Sequence, residues 1–258
     1  MGGIGAPPAL DRGIEAALRR DRRTVAASLV LVAALAWLYL WHDATMMAGM
    51  AHMPASTTGA ALMTFAMWSV MMVGMMLPSA APAILLYAAM VRKNSERGNA
   101  VPAAWIFTSG YLVVWTAFSA AATLAQIGLQ HAELLSMTMI SASRGLSAAI
   151  LLAAGIYQWL PLKYACLKKC RQPLEFFITR WRSGRRGAFL MGAEHGLYCV
   201  GCCWALMLLL FVAGVMNLLW VALIAGFVLV EKLLPAGPIT ARFGGAALAL
   251  AGLALLLA

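Results

Sequence analysis

One apolar stretch follows another along almost the whole chain, each about as long as a membrane core is thick. In turn they cover residues 25–41, 60–91, 101–130, 138–160, 188–215, 216–234 and 241–257. About 20 apolar residues carry a helix across the hydrocarbon core, and a helix satisfies its own backbone N–H and C=O groups where water is absent. Only 11% of the 258 residues are charged, against about 25% in an ordinary soluble domain. The expected fold is all-α: a polytopic transmembrane helix bundle of about seven spans. Residues 1–24 form a basic N-terminal segment, and 25–258 a single helical transmembrane domain with a basic loop at 161–187.

The positive charges test this map. Arg12, Arg19, Arg20, Arg22 and Arg23 precede the first stretch, and Arg92, Lys93 and Arg97 follow the second. Lys163, Lys168, Lys169, Arg171, Arg180, Arg182, Arg185 and Arg186 separate the fourth and fifth, and Lys232 and Arg242 flank the last link. Arg144 falls inside a stretch away from these links, and the alternate loops carry no Lys or Arg. This asymmetry is the positive-inside pattern, which places the N-terminus in the cytoplasm. The formal net charge of +10 thus reads as topology charge facing anionic lipid rather than as a nucleic-acid surface. The Arg pairs lead into an ordinary apolar helix with no small-residue cleavage site, as in an uncleaved anchor.

Methionine is concentrated early. Met46, Met47, Met50, Met53, Met63, Met67, Met71, Met72, Met75, Met76 and Met90 are eleven of the 17. Thioether sulfur is a soft ligand suited to Cu(I), and equally a flexible filler of irregular cores. The first outward loop adds His42, Asp43 and His52 to Met46, Met47, Met50 and Met53, with no basic residue. A short polar loop has little core to fill, so His42, Met46, Met47, Met50, His52 and Met53 are expected to capture metal. In the next stretch Met71 and Met75 share one ridge, and Met72 and Met76 the adjacent one. Pro78 and Pro82 follow. Neither can donate to the carbonyl four residues before it, so a kink or break is expected there. The freed carbonyls then need a partner.

The densest chemistry is Glu194-His195-Gly196-Leu197-Tyr198-Cys199-Val200-Gly201-Cys202-Cys203-Trp204. On a helix, Met191, His195, Cys199 and Cys202 share one face, Cys203 lies at its edge and Glu194 off it. Imidazole and thiolate suit soft and borderline metals, and ionisable groups within a membrane are functional suspects. Met191, Glu194, His195, Cys199, Cys202 and Cys203, with Met71, Met72, Met75 and Met76, are the candidate ligands. Cys199 and Cys202 also form a Cys-x-x-Cys pair, which leaves a dithiol redox site open. Cys166 and Cys170 lie in the basic loop, i and i+4 if helical, where a reducing compartment disfavours a structural disulfide. They are expected to serve as a cytoplasmic exchange pair. Glu231 and Lys232 are expected to pair or snorkel, and Ala241, Gly245 and Ala249 form a small-xxx-small face.

Three segments together resemble a prokaryotic family of predicted metal-binding integral membrane proteins. They are Met67-Trp68-Ser69-Val70-Met71-Met72-Val73-Gly74-Met75-Met76-Leu77-Pro78-Ser79-Ala80-Ala81-Pro82, the 161–174 segment with Cys166 and Cys170, and the Glu194–Trp204 stretch. Asn217-Leu218, Trp220 and Glu231-Lys232-Leu233 extend the resemblance to about residues 60–240. It implies metal binding without implying a reaction.

The function expected is transport or handling of a soft transition metal, Cu(I) ahead of zinc, by a protein that is not an enzyme. No nucleotide-binding motif suggests ATP-driven pumping. A membrane thiol–disulfide oxidoreductase using Cys199 and Cys202 is one alternative, and an accessory subunit delivering metal is another. The expected partners are the bilayer, the metal ion, and a metallochaperone or partner enzyme. Nucleic acid is not expected, and a homo-oligomer is left open.

Overall fold

A computed structural model describes residues 9–47, 58–94, 100–135 and 143–257. It is all-α, with ten helices among those residues. The first three are long: α1 (Ala9–Met47), α2 (Thr58–Asn94) and α3 (Ala100–His131). Four shorter or medium ones follow: α4 (Arg144–Tyr157), α5 (Pro161–Arg171), α6 (Pro173–Arg180) and α7 (Gly184–Met207). The chain closes with α8 (Leu209–Ala213), α9 (Leu218–Leu233) and α10 (Gly237–Leu257).

Among the described residues, five segments are long and apolar enough to cross a membrane: Arg19–Thr45, Thr58–Arg92, Val101–His131, Gly184–Ala213 and Gly237–Leu257. The expected fourth and sixth spans are shorter than the hydropathy suggests. The 14 residues of α4 rise about 21 Å and the 16 of α9 about 24 Å, against roughly 30 Å of hydrocarbon. At 159–160 the chain turns, with Trp159 N–H on Ile156 O and Leu160 N–H on Tyr157 O. Pro161 then opens α5 at its first turn, where a missing N–H costs nothing. The axes of α4 and α5 differ by 64°, so an apolar run continuous in sequence is bent in space.

Close backbone approach sets the core. A Cβ on Gly192 would fall 1.8 Å from Phe107 O, and one on Gly110 2.0 Å from Phe189 O. Reciprocal glycines thus let α3 and α7 lie backbone to backbone. The Ala241/Gly245/Ala249 face packs within the chain: a Cβ on Gly155 of α4 would lie 2.8 Å from both Ala249 N and Gly245 O. A tight turn joins α8 to α9 at 214–217. Gly214 has φ 93°, and Asn217 N–H donates to its carbonyl at 3.0 Å.

The α2 helix does not break at its prolines; both lie inside one continuous helix. The carbonyl of Gly74, deprived of its donor by Pro78, accepts from Trp37 Nε1 of α1 at 3.3 Å. The carbonyl of Met76 accepts from Ser79 Oγ at 2.8 Å and from Tyr111 of α3 at 3.2 Å. The Trp37 side chain therefore satisfies a carbonyl that lipid would leave unpaired.

Candidate metal centre

The one-face geometry of α7 is realised. Met191, His195, Cys199, Cys202 and Cys203 are all buried, directed inward because Gly192 and Gly196 seat the helix against α3. Cys202 and Cys203 donate to the same carbonyl, Cys199 O, at 3.1 and 2.9 Å. Met76 Sδ of α2 lies 3.9 Å from Cys203 Sγ. Met71, Met72 and Met75 are as deeply buried and pack in the surrounding apolar core.

Cys166 and Cys170 lie on α5, which packs along α7, and both pack against the core that holds Cys199 and Cys202. Cys166 Sγ sits 2.7 Å from where a Cβ on Gly201 would stand, so Gly201 is small to admit it. Three thiols of α7 are thus buried near one another, with a thioether of α2 beside Cys203. All five cysteines are free.

Three further side chains that the candidate ligand set omitted complete the site. Lys232 Nζ of α9 donates to Cys199 Sγ at 2.8 Å and to Ser79 Oγ at 3.0 Å. Tyr111 OH lies 3.0 Å from Cys199 Sγ. Glu231 and Lys232 therefore do not pair with each other, and Lys232 does not snorkel to the interface. They are adjacent on a helix and point to different neighbours. Glu231 pairs with Lys163 of α5 at 2.8 Å, both buried, and Gln158 also accepts from Lys163. Arg171 donates to Glu231 O at 2.9 Å and to Pro235 O at 3.1 Å, closing the end of α9. The available signal was Lys232 itself, an ammonium inside an apolar run.

Glu194 is placed otherwise than a ligand would be. Its carboxylate pairs with Arg180 at 3.1 Å and Arg182 at 3.5 Å, and accepts from Tyr198. Its off-face position directs it to the basic segment. Met191 Sδ accepts the Arg182 backbone N–H at 3.3 Å. The nearby Glu175 hydrogen-bonds Lys169, and this bond with the charges of Lys168 and Lys169 holds its carboxyl below the ordinary range. His42, Met46 and Met47 lie on the end of α1 rather than in a loop, and His42 is exposed. Met50, His52 and Met53 fall outside the described residues.

Among the described residues, no group of three or more His, Cys, Asp or Glu side chains is arranged to hold a metal ion. The sulfurs of Cys202 and Cys203 are turned onto a backbone carbonyl, so a closed shell requires them to rotate. The donor set nonetheless suits a soft ion. It is rich in sulfur, and His195 Nδ1 is buried with no hydrogen-bond partner, in an aromatic surround of Phe107, Tyr111 and Phe176.

Segments of membrane-crossing length thus surround a buried group of thiols, as in a helical membrane protein. Residues 65–255 match the PpoB2 family, described as copper chaperone, and the chain belongs to that family. The match takes in α3 to α9 entire and leaves α1 outside. No curated protein and no solved structure matches the chain.

Proposed function

We propose that the protein holds Cu(I) within the bundle and passes it to a partner, without catalysing a reaction. The observation that carries this reading is the burial of Cys199, Cys202 and Cys203 on one helix beside Met76. These sulfur donors favour Cu(I) over hard cations, and His195 adds an imidazole. Met71, Met72 and Met75 line the core behind Met76.

Lys232 supports the same reading by charge. Among the described residues it has no carboxylate within ion-pair distance, because Glu231 is engaged by Lys163. Cu(I) held by two thiolates carries net charge −1. The Lys232 ammonium neutralises it, and an intramembrane charge without such compensation is costly. The basic residues of α5 and α6 support a cytoplasmic position for that side, and the family resemblance supports a prokaryotic inner membrane.

Copper titration of the purified protein, read by metal analysis and X-ray absorption, tests the site. Stoichiometric copper with sulfur scatterers is expected, and it should disappear when Cys199, Cys202 and Cys203 all become Ser. Absence of bound copper, or copper that survives that triple change, overturns the reading. For delivery, deletion should strip copper from a partner enzyme while total cellular copper stays constant; a changed total points to transport. Alkylation trapping addresses the thiol oxidoreductase alternative, in which a cysteine pair would cycle in cells.

A further inference from the structure

A cavity of about 680 Å³ lies between α5, α9 and the start of α10. Tyr164, Lys168, Arg171, Lys232 and Pro235 are among its lining residues, and that lining includes three basic side chains and no acidic one. Lys232 lines this cavity and also touches Cys199 Sγ. A space on the basic side of the molecule is therefore separated from the thiol cluster by one side chain. Its volume is that of a small-molecule site, too small for a folded protein domain.

We propose that this cavity is a docking vestibule for an anionic low-molecular-weight thiol that carries Cu(I), such as a thiol peptide with free carboxylates. The proposal rests on the copper reading above and names the form in which the ion arrives or leaves. Lys168 and Arg171 meet the carboxylates of the carrier. Arg171 is already fixed by two carbonyls, so its charge is pre-positioned. Lys232 draws the anionic complex toward Cys199.

The transfer is a ligand exchange with no change of oxidation state. A protein cysteine sulfur bonds to Cu(I) as the copper–sulfur bond to the carrier breaks. The proton leaving the protein thiol goes to the departing carrier thiolate, which leaves as a neutral thiol group. An anionic lipid headgroup has related charge chemistry, but it supplies no sulfur and so gains nothing from a neighbouring thiol cluster.

Lys168→Glu tests the vestibule, because Lys168 is exposed and contributes no donor to the sulfur cluster. Cu(I) would be supplied to the purified full chain either as its glutathione complex or as its cationic acetonitrile complex. The variant should slow transfer from the anionic complex by roughly fivefold or more, as like charge disfavours encounter. Transfer from the cationic complex and the final copper content should stay unchanged. Equal slowing with both donors, or with neither, overturns the proposal.

Copper-free glutathione binding separates this idea from the metal site. It should be measurable by calorimetry in zwitterionic nanodiscs and weakened by Lys168→Glu, even if the protein held no copper. No binding there overturns the vestibule alone, whatever the copper titration shows. Binding abolished by adding anionic lipid would assign the cavity to a headgroup and also overturn it.

Discussion

Lys232 Nζ lies 2.8 Å from Cys199 Sγ, joining the end of α9 to the middle of α7 inside the bundle. The same ammonium holds Ser79 Oγ, and Ser79 donates in turn to Met76 O beside the prolines of α2. One cation thus ties together the three helices that carry Met76, Cys199 and Lys232.

Lys232→Met should therefore lower Cu(I) affinity without removing the sulfur ligands. The loss of a desolvated charge partner predicts a fall of about tenfold to a hundredfold, or roughly 1.4–3 kcal/mol. Competition with a calibrated Cu(I) chelator measures it. An affinity equal to wild type, in a variant with wild-type helix content, would separate Lys232 from the copper site.

The cysteines should divide in the same assay. Cys199→Ser removes the sulfur that contacts Lys232 and Tyr111, and should cost more affinity than any other single thiol. Cys166→Ser, whose sulfur packs against Gly201, should leave affinity within about twofold and act on stability alone, by less than about 1.5 kcal/mol. The reverse order would move the site toward the basic segment.

Gly192→Ala tests the seating of α7. Its new Cβ would stand 1.8 Å from Phe107 O, which is backbone and cannot swing aside. The helices must separate, at a cost of about 1–3 kcal/mol, read as a lower thermal midpoint in detergent. Copper affinity should fall with it, since the α3 side chain Tyr111 then withdraws from Cys199. An unchanged midpoint would mean that α3 and α7 are not so closely packed.

The Lys163–Glu231 pair should behave as a unit. Glu231→Gln strands a buried ammonium, and such a loss costs about 3–5 kcal/mol. Adding Lys163→Met should recover much of it, because replacing both partners by neutral or apolar groups avoids the uncompensated charge. Chemical unfolding of the two variants decides this: a double variant no better than the single one would indicate that Lys163 has a second role.

Much of the site was legible along the chain because an α-helix converts spacing into direction. Met191, His195, Cys199 and Cys202 share a buried face as their spacing requires, and Glu194 stands off it. Ala241, Gly245 and Ala249 likewise form a packing face. Hydropathy read along the chain was less reliable for span count, because it cannot see the turn at 159–160 or the short rise of α4 and α9. Nor could spacing show that Trp37 would satisfy Gly74 O and keep α2 continuous through its prolines.

Sequence by itself determined that the chain is helical and rich in membrane-length apolar segments, and that its soft donors are grouped on particular helix faces. These are properties of local periodicity and composition. Tertiary structure decided which donors meet. It packed Cys170 of the basic segment against the core that holds the α7 thiols, sent Glu231 to Lys163, and set Lys232 against Cys199. Those pairings join residues up to 68 positions apart. They depend on how α5 and α9 dock against α7, a register that glycine contacts and buried charge compensation set in three dimensions.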